Sequence, residues 1–578
     1  LAPKKAKKNI DLCAKNMLTW IHLYIGGKVI MRIMKYVLAL VFALGLAIPS
    51  FAVELSLGGF PSFMRFRWRS IQNATYHNLL TPGVLHNISG ANRDSTGENI
   101  NFADMTLRLT PQLVLSDAVT IRASIDVLSN AIAGGATDGL FGEDSDGSES
   151  GGAVMDDIRS TDRFNGALLH GNDAVTTDYG SFTVKFMHAD INLGDRGFVR
   201  IGRQPFDFGM GIYANGGHDP YSDLGFNIDR LLWLKGFATS MGSLTVVLVS
   251  DYISGGGDSG TDAASNDIGL FEGNGQTVDY LAAAVILNNG GFTTGAYFFP
   301  YIEQNNMRVD LDGQSAGTRV NWDMTFQLYD FYVEYKTADY RFISEIAGGY
   351  GELKADDNPD YYTVNNQYVA AARLELFNAG VDKLSLEAGY SQGDHSNSTS
   401  SSNDYEGNII RGNGAYQLDN LLFKHVLPSL YQRSGSIMNA KYLKADADIA
   451  VGNGDNLNLA VLMAWLEEKA PTGVGVDFGQ NLGNADGVAG TASSYYGTEY
   501  EATYSTNLVD GVELSFIASI IDVGDGLNDL LIAAAYSETS AGQNAVKSAM
   551  DTESTIWAFQ SRLLIFIDDF FKAPAATK

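Results

Sequence analysis

The feature that most constrains this chain is an alternation of polar and apolar side chains, which recurs over segments of about ten residues. Residues 119–127, for example, read VTIRASIDV, where Thr, Arg, Ser and Asp alternate with apolar residues. Similar segments lie at 64–69, 104–110, 367–376, 383–390 and 512–520. Because successive side chains of a strand point to opposite faces, each segment predicts a β-strand with one polar and one apolar face.

The connections between these segments are alternately short and long. The eight short turns are rich in Gly, Asn and Asp, as tight hairpins require, and lie at 116–117, 194–197, 239–240, 288–291, 337–339, 378–380, 452–455 and 509–511. The nine long, polar connections lie at 78–100, 131–180, 211–225, 255–276, 304–319, 353–365, 393–434, 469–496 and 524–551. Together they predict an all-β fold, a transmembrane antiparallel β-barrel of about 18 strands with short periplasmic turns and long extracellular loops.

Composition agrees with this fold. The chain is rich in Gly (63), Tyr (28) and Phe (30), and its mean hydropathy is only -0.05. A membrane barrel has a mean hydropathy near zero, because the polar residues of the interior offset the apolar residues of the outer face. A soluble β-helix or β-sandwich is the alternative fold. It would not explain aromatic residues at strand ends, such as Trp68, Tyr390, Trp465 and Trp557, where the membrane interface favours them.

The start of the barrel is marked by a secretion signal. Residues 31–52 read MRIMKYVLALVFALGLAIPSFA, with a basic start, an apolar run too short for a membrane span, and small residues before Val53. We therefore expect residues 1–30 to be an upstream leader, mis-annotated or unprocessed, and 31–52 to be a cleaved signal peptide. The single barrel should occupy 53–571, followed by a periplasmic tail at 572–578. The predicted location is the outer membrane of a Gram-negative bacterium.

Two segments resemble known outer-membrane barrels. Residues 555–567, TIWAFQSRLLIFI, resemble the closing strand that the barrel-assembly machinery recognises. Residues 198–211, FVRIGRQPFDFGMG, resemble the strand and loop of the alginate-export family and related 18-stranded specific porins. The second resemblance implies a barrel of that size with a transport role, and it does not imply a particular substrate.

A set of charged residues on the polar faces is the candidate functional site. These predicted pore-lining residues are Arg65, Arg67, Arg69, Arg108, Arg122, Asp126, Arg200, Arg373, Glu375, Glu387 and Arg562. Arginines facing acidic residues across a water-filled interior can filter solutes by charge. Alternatively, the same arginines only pair with acidic neighbours and stiffen the wall. The sequence leaves both interpretations open.

Local features suggest where the interior narrows. The loops 131–180 and 393–434 are long enough to fold inward, and the second contains the amphipathic stretch Asp419–Gln432. This stretch can equally pack at the rim as a surface loop. Arg203 is out of step with Arg200, which predicts a bulge or a strand end there.

Chemistry other than transport finds little support in the sequence. Asp144, Asp146, Asp310 and Asp312 are weak calcium candidates in runs that do not complete a calcium-binding loop, so we predict no metal site. The 8 histidines form no metal-binding or catalytic motif, and no GxSxG motif is present. We predict that the protein is not an enzyme and has no cofactor.

The leading functional hypothesis is a porin that allows passive diffusion of small hydrophilic solutes or ions. One alternative is an export or scaffold barrel, which secretes an anionic polymer or sheaths a periplasmic cytochrome. Another is a surface adhesin or receptor. The expected partners are outer-membrane lipid, the barrel-assembly machinery, and small solutes or ions. A homotrimer is compatible with the pattern. The net charge of -28 disfavours nucleic acid as a partner.

Overall fold

The structure is a computed structural model. It describes residues 54–57, 60–72, 100–132, 183–222, 225, 227–254, 277–309, 320–355, 361–393, 404–405, 412–427, 437, 439–452, 454–468, 493–528 and 555–568. The predicted leader, signal peptide and tail lie outside these ranges, as do the four calcium candidates. Among the described residues, no helix has the length and apolar character needed to cross a membrane.

The described residues are almost entirely strands. In chain order they are β1 (Glu54–Leu57), β2 (Phe63–Gln72), β3 (Ile100–Leu109), β4 (Pro111–Ser116), β5 (Val119–Ile132), β6 (Thr183–Asn192), β7 (Phe198–Pro205), β8 (Asn227–Thr239), β9 (Gly242–Ser254), β10 (Thr277–Asn289), β11 (Phe292–Val309), β12 (Val320–Lys336), β13 (Tyr340–Ala355), β14 (Tyr361–Phe377), β15 (Lys383–Ser391), β16 (Asp404–Tyr405), β17 (Ala440–Val451), β18 (Asp455–Leu466), β19 (Tyr495–Val509), β20 (Val512–Val523) and β21 (Thr555–Phe566). A 3-10 turn (Gly194–Arg196) and a π-helical turn (Leu422–Val426) interrupt the pattern.

These segments form one closed antiparallel barrel of 18 strands. The pair β1 and β2 makes the first barrel strand, β3 and β4 make the second, and β16 is a two-residue addition beside β14. Each barrel strand pairs with the next along the chain, and β2 pairs with β21 to close the ring. The closing register places Arg67 opposite Arg562. The predicted fold class and strand number are confirmed.

The eight predicted short turns are also confirmed, since each joins two consecutive strands of the barrel. Gly290 and Gly511 lie in two of these turns with φ of 63° and 78°, a left-handed conformation that glycine adopts without strain. Because consecutive strands of the barrel are antiparallel, these eight turns all lie at one end of it.

The two faces of the wall differ as the alternation predicts. Large apolar side chains such as Trp68, Leu248, Phe331 and Leu443 are exposed on the outer face. The intervening residues are buried, and many of them are charged. Because a membrane barrel must present apolar side chains to lipid, this is the arrangement expected for a wall that contacts hydrocarbon on its outside.

Arg203 does not mark a bulge. The pairing of β6 with β7 runs without a shift from Asn192 opposite Phe198 to Met187 opposite Arg203, and β7 ends two residues later at Pro205. Of the two expectations, the bulge was wrong, whereas the strand end lies two residues from the predicted position. The side chain of Arg203 lies on the face opposite to that of Arg200, where it forms an exposed ion pair with Asp229 at 2.8 Å.

Two connections fold into the barrel. We call residues 206–222, which follow β7, segment A, and residues 412–427, which precede β17, segment B. Segment A is not the polar surface loop that the sequence suggested, because Phe206, Ile212 and Ala214 are all buried. Segment B carries the first part of the predicted amphipathic stretch and folds inward. The loop 131–180 lies outside the described residues beyond Ile132.

Candidate functional site: the narrowed barrel interior

The arginines of β2 are bonded to the wall and to segment A. Arg65, Arg67 and Arg69 are only 1%, 4% and 6% exposed. Arg67 binds the carboxylate of Asp104 on β3 at 2.7 Å, and Arg69 lies 3.6 Å from the same carboxylate. Arg65 donates to the carbonyl oxygen of Pro220 in segment A at 2.8 Å. These side chains hold neighbouring parts of the protein together.

The next predicted residues also form ion pairs. Arg108 makes a bidentate pair with Asp126, with distances of 2.7 and 3.0 Å, in a site closed to solvent. Arg122 and Arg200 share the carboxylate of Asp190, at 3.0 and 2.6 Å, and remain partly exposed. Bidentate geometry of this kind fixes the guanidinium plane as well as its position.

Of the remaining predicted residues, Arg373, Glu375 and Glu387 lie on β14 and β15, and Arg562 lies on β21 beside β2. Arg373 on β14 donates to Glu387 on β15 at 2.7 Å and lies 3.9 Å from Glu375. Arg562 on β21 lies 3.6 Å from Glu513 on β20. The structure therefore distributes the predicted residues over several ion pairs around the interior. Their role in lining a pore stays a prediction.

Segment A is attached to β13 through one carboxylate. Glu345 accepts backbone N–H groups from Met210, from Gly211 at 2.9 Å and from Tyr213 at 3.2 Å. The chain passes close to this carboxylate, because a Cβ at Gly209 would lie 2.3 Å from an oxygen of Glu345. Glycine with a φ of +60° satisfies both the turn and the close approach.

The other end of segment A is attached to the opposite part of the barrel. Arg108 on β3 donates to the carbonyl oxygen of Gly217 at 3.2 Å. The hydroxyl of Tyr221 donates to Glu513 on β20 at 2.8 Å, and the guanidinium of Arg562 lies 4.2 Å from the centre of the Tyr221 ring. Since β13 is far from β3 and β20 around the ring, segment A crosses the interior.

Segment B is attached through several wall carboxylates. Glu501 and Glu499 on β19 accept the backbone N–H groups of Asn420 and Leu422, both at 2.8 Å. The hydroxyl of Tyr416 donates to Glu387 at 2.6 Å. Lys444 on β17 donates to the backbone carbonyl of Leu418. These bonds connect segment B with β15, β17 and β19.

The helical turn of segment B is capped and buried. Asp419 accepts the backbone N–H groups of Phe423 at 2.7 Å and Lys424 at 3.0 Å. Burial, and next the nearby carboxylate of Glu501, raise the pKa of Asp419 from its usual 3.8 to about 7. The apolar side chains of the segment are almost fully buried: Leu418, Leu421, Leu422, Phe423, Val426 and Leu427.

The two segments meet inside the barrel. The backbone N–H of Asn413 donates to the carbonyl oxygen of Ile212 at 2.6 Å, and its side-chain amide donates to that of Tyr213 at 2.9 Å. Two inward connections that are anchored to different strands and bonded to each other necessarily narrow the space enclosed by the wall.

A cavity of about 590 Å³ lies beside both segments. It is bounded by Asp219 and Tyr221 of segment A, by Tyr416, Gln417 and Asn420 of segment B, and by wall residues that include Arg373, Asn456, Thr503, Asn507, Glu513 and Arg562. Two of the predicted site residues, Arg373 and Arg562, therefore contribute to one cavity. The described residues contain no group of three or more His, Cys, Asp or Glu side chains that could hold a metal ion.

Several residues of this site were not anticipated from the sequence. They are the anchors Glu345, Glu499, Glu501 and Lys444 and the whole of segment A. Available signals were the apolar residues in the connection between β7 and β8, Phe206, Phe208, Met210 and Ile212, and the acidic residues at inward positions of β19. An apolar loop next to a membrane barrel has to bury those side chains somewhere, and the interior is one of the places available.

No protein-family model and no curated protein matches the chain, so the resemblance at 198–211 rests on those residues alone. Solved structures do match. OpdK of Pseudomonas aeruginosa, solved with vanillate, is 8% identical, with 88% of this chain and 99% of that chain covered and a TM-score of 0.39. The channel DcaP of Acinetobacter baumannii is 10% identical, with 89% and 97% covered and a TM-score of 0.35. An anion-selective porin from Comamonas acidovorans is 10% identical, with 89% and 99% covered and a TM-score of 0.33.

TM-scores this low do not allow details of a site to be transferred from one protein to another. The assignment of the barrel rests on the strand pairing of this chain. In strand number, closure and alternation of faces, the chain has the architecture of an outer-membrane porin barrel.

Proposed function

We propose that the protein is an outer-membrane channel, without enzymatic activity, through which small hydrophilic solutes or ions diffuse passively. The observation that carries this proposal is the polar interior of a closed barrel whose outer face is apolar. Charged side chains are costly in hydrocarbon but not beside water, so a wall built in this way supports an aqueous path. The inward segments A and B then limit the size of what passes.

The same two segments weigh against the export or scaffold alternative. A secreted polymer or a sheathed cytochrome needs a wide interior along the whole barrel. Segment A instead crosses the interior between Glu345 and Glu513, and Asn413 ties it to segment B. A narrowed barrel suits the passage of small solutes.

Electrical recording tests the proposal. The full chain is reconstituted into planar lipid bilayers, and we expect stepwise, ohmic conductance. The control is the same preparation after boiling, which unfolds the barrel. Insertion of folded, heat-modifiable protein without any conductance steps would contradict the channel function and favour an adhesin or receptor.

A further inference from the structure

The cavity beside segments A and B lies toward the end of the barrel that carries the short turns. Asn456 follows the turn between β17 and β18, while Asn507 and Glu513 lie on either side of the turn between β19 and β20. Its volume of about 590 Å³ falls within the range of pockets that bind small molecules. A solute moving through the barrel on this side would pass beside it.

The two arginines of this cavity already form hydrogen bonds and ion pairs with other groups of the protein. Arg373 is bonded to Glu387 at 2.7 Å and to the hydroxyl of Tyr416 at 3.0 Å. Arg562 donates to Ser515 at 3.1 Å and lies 3.6 Å from Glu513. An anionic ligand would have to compete with these partners, and the two carboxylates of the lining, Glu513 and Asp219, would repel it.

Neutral polar side chains make up most of the remaining lining. Four of them, Gln417, Asn420, Thr503 and Asn507, come from segment B and from β19. Among the described residues, none of these four side chains makes a hydrogen bond to another residue, and each is at least partly exposed. An amide both donates and accepts hydrogen bonds, and so does a hydroxyl. Such groups match the hydroxyls of a ligand that carries no charge.

We propose that this cavity is a binding site for an uncharged polyhydroxylated solute, an oligosaccharide of two or three sugar units. The proposal rests on the channel function proposed above and names the class of solute for it. Hydroxyls of the solute bond to the free amides and hydroxyls of Gln417, Asn420, Thr503 and Asn507. The matched arginine and carboxylate groups at the edge exclude ligands of either charge.

Three trisaccharides of similar size but different charge test the proposal directly. Calorimetry on the full chain in detergent compares maltotriose, which is neutral, with an acidic galacturonic acid trimer and a basic glucosamine trimer. We expect maltotriose to bind at least about tenfold more tightly than either. Tighter binding of the acidic trimer would assign the site to the arginines, and no binding of maltotriose at all would also overturn the proposal.

Substitutions locate the binding in this cavity. The double variant Thr503→Val, Asn507→Ala removes two side chains that make no bond within the described protein, so it should fold. We expect it to weaken maltotriose binding about five- to tenfold, the effect of losing one to two net hydrogen bonds. The matched control is Asn288→Ala, at another strand end beside a short turn but outside the cavity, and it should bind like the unaltered chain. Equal binding by the double variant and the control would refute the assignment.

Block of the ionic current separates this proposal from the channel function. If the barrel conducts ions but maltotriose neither binds nor blocks, the site fails and the channel stands. If maltotriose binds in detergent but the folded barrel conducts nothing, the channel fails and the site stands.

Discussion

Segments A and B both narrow the barrel, but the wall holds them by different chemistry. Segment A is bonded by charged groups of both signs, because Arg65 and Arg108 donate to its carbonyl oxygens and Glu345 accepts its N–H groups. Segment B contacts the wall mainly through carboxylates that accept its N–H groups, and it also buries a continuous apolar surface. Segment A therefore depends on wall arginines, which keep their charge at every accessible pH, and on the single carboxylate of Glu345. Segment B depends on packing and on protonation.

The bonds to segment A help to explain why wall arginines such as Arg108 can be deeply buried. A charge inside a protein is tolerated when it is paired and its other donors are satisfied. Arg108 meets both conditions, since Asp126 takes two of its donors and Gly217 of segment A takes a third. If the arginines serve as wall-stiffening pairs, Arg108 does more than stiffen the wall, because it also attaches an inward segment to it.

The largest effect is expected from breaking the pair that supports segment A. Arg108→Gln leaves Asp126, which is fully buried, without its bidentate partner, so we expect the free energy of unfolding to fall by about 3–5 kcal/mol. Urea unfolding in detergent measures the loss. The matched control, Arg122→Gln, breaks a partly exposed inward pair with Asp190, which keeps its bond to Arg200, and should cost at most about 1 kcal/mol. Equal losses in the two variants would show that burial of the pair is unimportant.

Segment B should respond most to loss of apolar packing. Leu422, at 0% exposed, packs inside the barrel, and Leu422→Ala should weaken the docking of segment B by about 2–5 kcal/mol. A cysteine at Ala415, in a chain with Cys13→Ser, reports exposure of the segment through its rate of thiol labelling. We expect that rate to rise at least about tenfold. Leu443→Ala, on the outer face, is the control and should leave it unchanged. An unchanged rate in Leu422→Ala would mean that the polar anchors alone hold the segment.

The sequence predicts the wall far better than it predicts these segments. The strands follow from alternation, which any barrel in a membrane must obey, and the short turns follow from Gly, Asn and Asp. The anchors of segment A are different, because Glu345 and Gly211 are separated by more than a hundred residues. No local pattern links such positions. Only closure of the ring brings β13 opposite β3 and β20 and gives segment A something to span.

Among the site residues, those on strands were predictable from the sequence and those in loops were not. Arg373 and Arg562 were found because they occupy inward positions of strands, and both contribute to the cavity. Gln417 and Asn420 were not singled out, since a polar residue in a long loop has no defined direction before the loop is placed. The bond between Asn413 and Ile212, which joins two loops, lies outside what alternation can predict.

A smaller effect on the free energy of unfolding should distinguish two tyrosines, one in each segment, whose hydroxyls both donate to a wall glutamate. Tyr416 of segment B is 5% exposed and donates to Glu387, while the half-buried Tyr221 of segment A donates to Glu513. A hydrogen bond to a charged group is worth about 1.5–3 kcal/mol when buried. Tyr416→Phe also loses the bond that this hydroxyl accepts from Arg373, so it should lower the free energy of unfolding by at least that amount. Tyr221→Phe should cost at most about 1 kcal/mol, because water replaces the lost bond. The same urea titration compares them, and a larger loss for Tyr221→Phe would show that the bond of segment A is the stronger of the two.

An effect that is graded with pH concerns protons at segment B. The carboxylate of Asp419 lies among Glu499, Glu501 and Lys444, three carboxylates in all for a single lysine. Burial raises the pKa of Asp419 from 3.8 to about 7, so the docked segment holds a proton that the released segment gives up. Docking is therefore strongest at low pH and weakens as the pH rises from about 4 to about 7, by at most about 1.4 kcal/mol per pH unit for one proton. Above about pH 7 it is constant.

The thiol-labelling rate at Ala415→Cys should accordingly rise between pH 5 and pH 7, which lie within that window of about three units. The rate is corrected for thiol ionisation with a free cysteine peptide. Asp419→Asn keeps an oxygen that can accept the N–H groups of Phe423 and Lys424 but cannot titrate, and it should flatten the profile. A slope that persists in Asp419→Asn would assign the titration to another group, whereas a flat profile in the unaltered chain would mean that the docking of segment B does not depend on protonation of Asp419.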